Sequence, residues 1–181
     1  MTAHDRPAMT PQEALDRLKA GNERFVSGHA RFPTVQKDVL ADLAKGQAPY
    51  ATILGCSDSR VPPELVFDAS FGELFVIRVA GNVLGHEGCG AVKAALASRF
   101  EGALQRSHIE VLLENIVPAL DGLDATQEPR ALLGAAVEAN VRHTVRQLLA
   151  TPEAQARLAE GGVTLVGAVY ELESGRVRFL E

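Results

Sequence analysis

The 181-residue chain carries a net charge of −5 at pH 7, with 46% hydrophobic and 23% charged residues, the balance of a globular protein long enough to bury a core. That acidic balance, the lack of a basic stripe, and the presence of no Trp and only two Tyr argue against nucleic-acid binding by charge or stacking and against broad attachment to anionic membranes. Met1 to Thr10 contains His4, Asp5, Arg6 and Pro7 but no apolar run, so it does not read as a signal peptide, and no stretch approaches the roughly 20 apolar residues of a bilayer span. A cytoplasmic location, with both cysteines reduced, is the expectation.

Thr10-Pro11-Gln12-Glu13 reads as a capping box opening a helix to about Val26, with Leu15, Leu18 and Phe25 on one face. Gly28 to Pro33 is a polar turn region. Val35 to Lys45 patterns as a second helix, Val39, Leu40 and Leu43 inward and Gly46 its stop. Ala51 to Gly55 is a continuous apolar run, the pattern of a strand buried on both faces of a parallel sheet. Val61 to Phe67 suits a short helix with prolines in its first turn. Leu74 to Ala80 reads as a second buried strand. A helix is expected from about Gly90 to Phe100, with Val92, Ala95 and Leu96 inward.

Further along, Ser107 to Leu120 reads as helical and ended near Pro118, and Asp121 to Pro129 as a loop. Leu132 to Leu149 is the clearest amphipathic helix, striped by Leu133, Val137, Val141, Val145, Leu148 and Leu149. Val163 to Tyr170 reads as a strong strand, and Ser174-Gly175 turns into a last strand, Val177 to Leu180. Strands alternating with helices mean an α/β fold: a mainly parallel central sheet flanked by helices. No linker or repeat interrupts residues 1–181, so a single domain with an N-terminal helical arm at about 10–46 is expected.

The only two cysteines lie in two short motifs, Cys56-Ser57-Asp58-Ser59-Arg60 and His86-Glu87-Gly88-Cys89-Gly90. Two thiolates and one imidazole suit zinc, with Asp58 as a possible fourth ligand, and three protein ligands with an open position mark a catalytic rather than a structural site. Cys56 follows a buried strand, so its motif falls at a strand carboxyl end, where open α/β sheets place their sites. Arg60, two residues past Asp58, competes with a metal for that carboxylate; a bidentate pair would hold Asp58 off the zinc. Gly90 and the helix start behind it would present backbone N–H groups to a developing oxyanion. The competing readings are a Cys56–Cys89 disulfide or two inert core thiols. Arg78 in an apolar strand reads as a structural ion-pair partner, and Asn82 as a turn residue hydrogen-bonding the site's backbone. His4, His29, His108 and His143 read as ordinary surface or loop residues.

The stretch Ala51-Thr52-Ile53-Leu54-Gly55-Cys56-Ser57-Asp58-Ser59-Arg60-Val61-Pro62-Pro63-Glu64 resembles the first signature of the β-class carbonic anhydrases. Phe75 to Asn82 and Leu84 to Val92 resemble their second conserved stretch and second zinc-ligand motif, and Gly21-Asn22-Glu23-Arg24-Phe25 and Val166 to Tyr170 also match. The resemblance implies Zn2+ held by Cys56, His86 and Cys89, an acid–base and gating pair of Asp58 and Arg60, and reversible hydration of carbon dioxide to bicarbonate and a proton. With two thiolates on the metal, alkaline pH should be favoured.

The resemblance also implies about two dozen residues, a helix and a central strand, between the Gly-Asn pair and the Leu-Gly-His motif; here only Val83 separates Asn82 from Leu84. Since a crossover between neighbouring parallel strands needs about a dozen residues, the expectation is a single strand from Leu74 to Leu84, or elements exchanged between chains. A homodimer or larger assembly is expected to cover the faces left open. The rival readings are a non-catalytic zinc-binding relic, a zinc hydrolase of another small linear molecule such as a sulfur analogue of carbon dioxide, and, more distantly, a thiol redox protein lacking the C-x-x-C spacing.

Overall fold

The computed structural model describes residues 9–31, 37–103 and 108–180. His4, Val35 and Ser107, and the segments they begin or belong to, fall wholly or partly outside these residues.

Helix α1 (Pro11–Val26) starts at the expected capping box: Thr10 Oγ1 accepts from the Glu13 N–H, and the Glu13 carboxylate accepts from the Thr10 N–H at 2.8 Å. Its Gly21-Asn22 pair fastens it to the body. A Cβ on Gly21 would stand 1.9 Å from the Phe67 carbonyl oxygen, so only glycine permits this approach. Asn22, 4% exposed, donates to the carbonyls of Val66 and Gly175 and accepts from the Val177 N–H, so a buried polar side chain is fully paired. Helix α2 (Lys37–Leu43) leaves Val39 and Leu40 exposed, contrary to the inward stripe expected of them; among the described residues only Leu43 of the three is even half-buried.

Among the described residues the sheet has five strands, β1 (Ala51–Cys56), β2 (Leu74–Val79), β3 (Leu84–His86), β4 (Ala168–Tyr170) and β5 (Val177–Phe179), in the order β2-β1-β3-β4-β5. All neighbours are parallel except β4 and β5. Leu74 to Leu84 is therefore not one strand. β2 and β3 lie on opposite sides of β1, so they are not neighbours and no return crossover is needed. β2 ends level with Cys56 and β3 begins level with Gly55. The link Ala80–Val83 only has to pass over the carboxyl end of β1, about 10 Å, and the five Cα steps from Val79 to Leu84 reach roughly 17 Å. Gly81, with φ +57, supplies the bend.

Helices cover both faces. On one, α1 and α3 (Pro63–Val66) pack Leu18, Val61, Val66 and Phe67 against Ile53, Leu84 and Ala168. On the other, α4 (Gly90–Glu101) and α6 (Pro129–Leu149) bury Val92, Ala95, Val137 and Val141 beneath Cys56, Cys89 and Val169. The α6 stripe matches the expected one, with Val137 and Val141 buried, and Glu138 pairs with Arg142 at 3.0 Å. Between α4 and α6 the chain forms α5 (Ile109–Leu113) and a 3-10 helix (Val117–Leu120) that ends two residues after Pro118. Helix α7 (Pro152–Ala159) was not expected, although Thr151-Pro152 opens it as Thr10-Pro11 opens α1, the Thr151 hydroxyl accepting from the Ala154 N–H.

Three strands depart from expectation, and for related reasons. β1 is not buried on both faces: Thr52 is exposed and Ala51 and Leu54 half-buried. Val163 to Tyr170 pairs only from Ala168 onward. Both stretches need a partner below Leu84, where the three-residue β3 has not yet begun. β2 is an edge strand and buries only Leu74, leaving Phe75 and Val79 45% and 43% exposed.

Candidate metal centre

Cys56 ends β1, His86 ends β3, and Cys89 caps the start of α4, so the adjacent carboxyl ends of two parallel strands bring the two motifs together. All three side chains are buried, both cysteines are free thiols, and the two Sγ atoms and one imidazole nitrogen lie within 4.8 Å of one another. His86 Nδ1 donates to the Glu87 carbonyl at 2.8 Å, which leaves Nε2 to face the thiols. Nε2 is buried with no hydrogen-bond partner.

The thiols share their protons. The hydrogen bond with Cys89 pulls Cys56 down to about 3, helped by His86 and by the Gly81 N–H, while the same bond and burial push Cys89 up. Backbone N–H groups of Ala91 and Val92, at the start of α4, face Cys89 and favour its thiolate. For His86, burial works to lower the pKa, but the Cys56 thiolate and the Glu87 carbonyl outweigh it and leave the imidazole above its ordinary value. Zinc bonds of about 2.3 Å to sulfur and 2.05 Å to nitrogen place tetrahedral ligand atoms about 3.6–3.8 Å apart, within about 1 Å of the spread seen. An orphaned imidazole nitrogen beside two thiols is the donor set zinc takes.

Asp58 stands at the rim. Arg60 grips it bidentately, Nε to Oδ1 at 3.0 Å and a terminal nitrogen to Oδ2 at 2.7 Å, and adds its backbone N–H to Oδ1 at 2.9 Å. This grip, chiefly the side-chain hydrogen bond, holds the Asp58 carboxyl far below the usual carboxylate range. Oδ2 lies 3.8 Å from His86 Nε2.

Sequence reasoning missed part of the scaffold. Among the described residues Arg78 makes no ion pair; it donates to the carbonyls of Cys56, Asp58 and Val61 at 3.1, 2.5 and 3.1 Å, clamping the whole first motif. Its signal was a lone Arg in an apolar strand, whose register beside Gly55 only the sheet reveals. Asn82 does not bond the site's backbone through its amide nitrogen, which is buried without a partner. His29 and His108 are exposed as expected, but His143 lies within α6 with Nε2 buried and unpartnered. A separate cavity of about 460 Å³ lies elsewhere, lined by apolar side chains with Tyr50, Thr52 and Thr164 and without a Cys, His or carboxylate. It offers no groups for catalysis, so the thiol cluster is the candidate site.

The family model for carbonic anhydrase matches residues 51–84 and 82–177. Carbonic anhydrase 2 of Mycobacterium tuberculosis is 36% identical over 199 aligned positions, covering 94% of this chain and 93% of the relative. The solved β-carbonic anhydrase CcaA superposes with a TM-score of 0.71 at 26% identity, over 94% of this chain and 87% of that one. This chain belongs to the β-carbonic anhydrase family. The carbonic anhydrase of Mycolicibacterium smegmatis, 34% identical over 94% of both chains, is a further relative. The β-carbonic anhydrase signature residues Cys56, Asp58, Arg60, His86 and Cys89 are those that the fold gathers at one end of the sheet.

Proposed function

We propose that this chain catalyses the reversible hydration of carbon dioxide to bicarbonate and a proton, with Zn2+ held by Cys56, His86 and Cys89. The observation that carries it is the unpartnered His86 Nε2, buried beside two thiols and 3.8 Å from an Arg60-tethered Asp58. Zinc supplies the Lewis acidity that makes water a nucleophile near neutral pH, a property for which carbonic anhydrase is itself the reference case.

The residues do the rest. Arg60 keeps Asp58 ionised and occupies both of its carboxylate oxygens, so Asp58 would accept a hydrogen bond from the attacking water and orient it rather than bind the ion. Arg78 holds the loop that carries Cys56 and Asp58 in place. Gly90 begins α4, where its backbone N–H would stabilise the charge that develops on the carbon dioxide oxygen.

Among the described residues no helix is long and apolar enough to cross a membrane. We place the protein in the cytoplasm as a single domain. A homodimer or larger assembly would cover the exposed apolar edge of Phe71, Phe75, Ile77 and Val79. We read the chain as a shortened member of its family, a reading supported by an alignment of 199 positions to the mycobacterial enzyme against this chain's 181 residues and by a family match in two stretches that overlap at 82–84. Metal analysis beside a carbon dioxide hydration assay on the purified chain tests the reading. About one zinc per chain with hydration activity supports it. Zinc without activity would mark a relic.

A further inference from the structure

We propose that this protein carries a docking site for an extended, apolar peptide strand, in a slot that passes through its sheet below β3. Gly55 of β1 is level with Leu84, and Leu84 with Ala168 of β4. Below Leu84, Val83 fills the first position, its carbonyl accepting from the Ala168 N–H; three further positions follow with Ala51–Ile53 on one side and Thr164–Val166 on the other, and among the described residues no strand lies between them. The cavity of about 460 Å³ occupies that place. Val83 and Leu84 close its upper end; Leu15 and Leu18 reach it from α1 on one face of the sheet, and Leu148 from α6 on the other. A pocket touched from both faces is a gap in the sheet, not a surface groove.

The walls say what fills it. β1 pairs with β2 along all six residues but with β3 at Gly55 alone, so the other edge of Ala51–Ile53 is open. Among the described residues, Val163–Val166 makes no backbone hydrogen bond. An occupant must therefore offer N–H and C=O groups on both its edges at strand spacing, which an extended peptide does and a hydrocarbon ligand does not. The side-chain environment is apolar and contains no ion-pairing group, so the peptide is uncharged over about three residues, in line with β3. This site is independent of the proposed hydration chemistry.

The test uses a peptide of three consecutive valines preceded by a lysine pair, amidated at the C-terminal end that meets Val83 and labelled at the lysine end for fluorescence anisotropy, with the full-length protein. Expected are saturable one-to-one binding and a melting temperature that rises with peptide concentration. The same peptide with alternate valines N-methylated, which removes N–H donors while keeping the apolar side chains, should bind about tenfold or more weakly. No saturable binding overturns the proposal. Equal binding of the N-methylated peptide also overturns it and makes the slot a general apolar cavity. Binding only with dissociation of a self-assembled form, seen by sedimentation, overturns it in favour of a second copy of the chain as the occupant.

Discussion

Gly85 joins packing to the candidate metal site, because it sits between Leu84 and His86 with α6 pressed against its backbone. A Cβ placed there would lie 2.7 Å from Val141 Cγ2 and 3.1 Å from Val137 Cγ1, where ordinary contacts are 3.4–4 Å. One side or the other must move by about 0.7–1.3 Å. Val141 and Val137 are 0% and 2% exposed and are stiff at χ1, so they have little room to turn away. Overpacking of this kind costs about 1–3 kcal/mol. At roughly 2 kcal/mol, Gly85→Ala should lower the melting temperature of a chain this size by roughly 4–8 °C. If β3 yields rather than α6, His86 moves too, and zinc affinity should fall roughly tenfold. Gly134→Ala is the control: it lies on the exposed side of the same helix, with nothing within 4 Å of the new methyl. There the change removes a flexible helical residue and should stabilise by about 0.5–1 kcal/mol. Thermal melts of both variants with zinc titration decide the matter. A wild-type melt for Gly85→Ala, or an equal drop for Gly134→Ala, would refute the packing argument.

The purified protein should hold about one zinc per chain, and Cys89→Ser should lose most of it, since one of two thiolates is gone; full occupancy by metal analysis would remove Cys89 from the ligand set. Asp58→Asn should keep its zinc and lose activity on the order of 100-fold or more; loss of zinc in that variant would make Asp58 a ligand instead. Asp68, buried to 1% and gripped by Arg24 at 2.6 Å and Arg31 at 2.9 Å, has its pKa opposed by burial but lowered overall by these partners. A depressed carboxylate stabilises the fold above its unfolded pKa, about 3.9, and that stability drains as pH falls through the lower folded value. Denaturant melts should therefore show Asp68→Asn weaker by roughly 2–3 kcal/mol above pH 5, converging on the wild type in acid; a constant gap down to pH 2 would contradict it. Arg78→Met should reduce zinc affinity without touching a ligand, because three carbonyls of the first motif lose their donor; unchanged affinity in a competition titration would count against the clamp.

Local chemistry decided what could be read from the chain alone. The Thr10 capping box, the α6 stripe around Val137 and Val141, and the separate motifs Cys56 to Arg60 and His86-x-x-Cys89 each rest on residue type and spacing within a few positions, whereas the sheet brings the two motifs together. Such patterns act through hydrogen bonds and periodic burial that neighbouring residues make by themselves. Arg60 gripping Asp58 belongs with them, two residues apart.

Pairing between distant segments was decided only in three dimensions. Nothing local distinguishes Val163–Val166, without a backbone hydrogen bond among the described residues, from Ala168–Tyr170, which pairs, because the difference is whether β3 lies opposite. Phe75 and Val79 have strand-core chemistry but sit on an edge, since the order β2-β1-β3 puts β2 outside. The same order lets four residues link β2 to β3 over the end of β1, where reasoning from neighbouring strands required a dozen. Strand order is a property of the whole sheet, set by which edges find partners. The reach of Arg78 to three carbonyls and the open slot beneath Leu84 both follow from it.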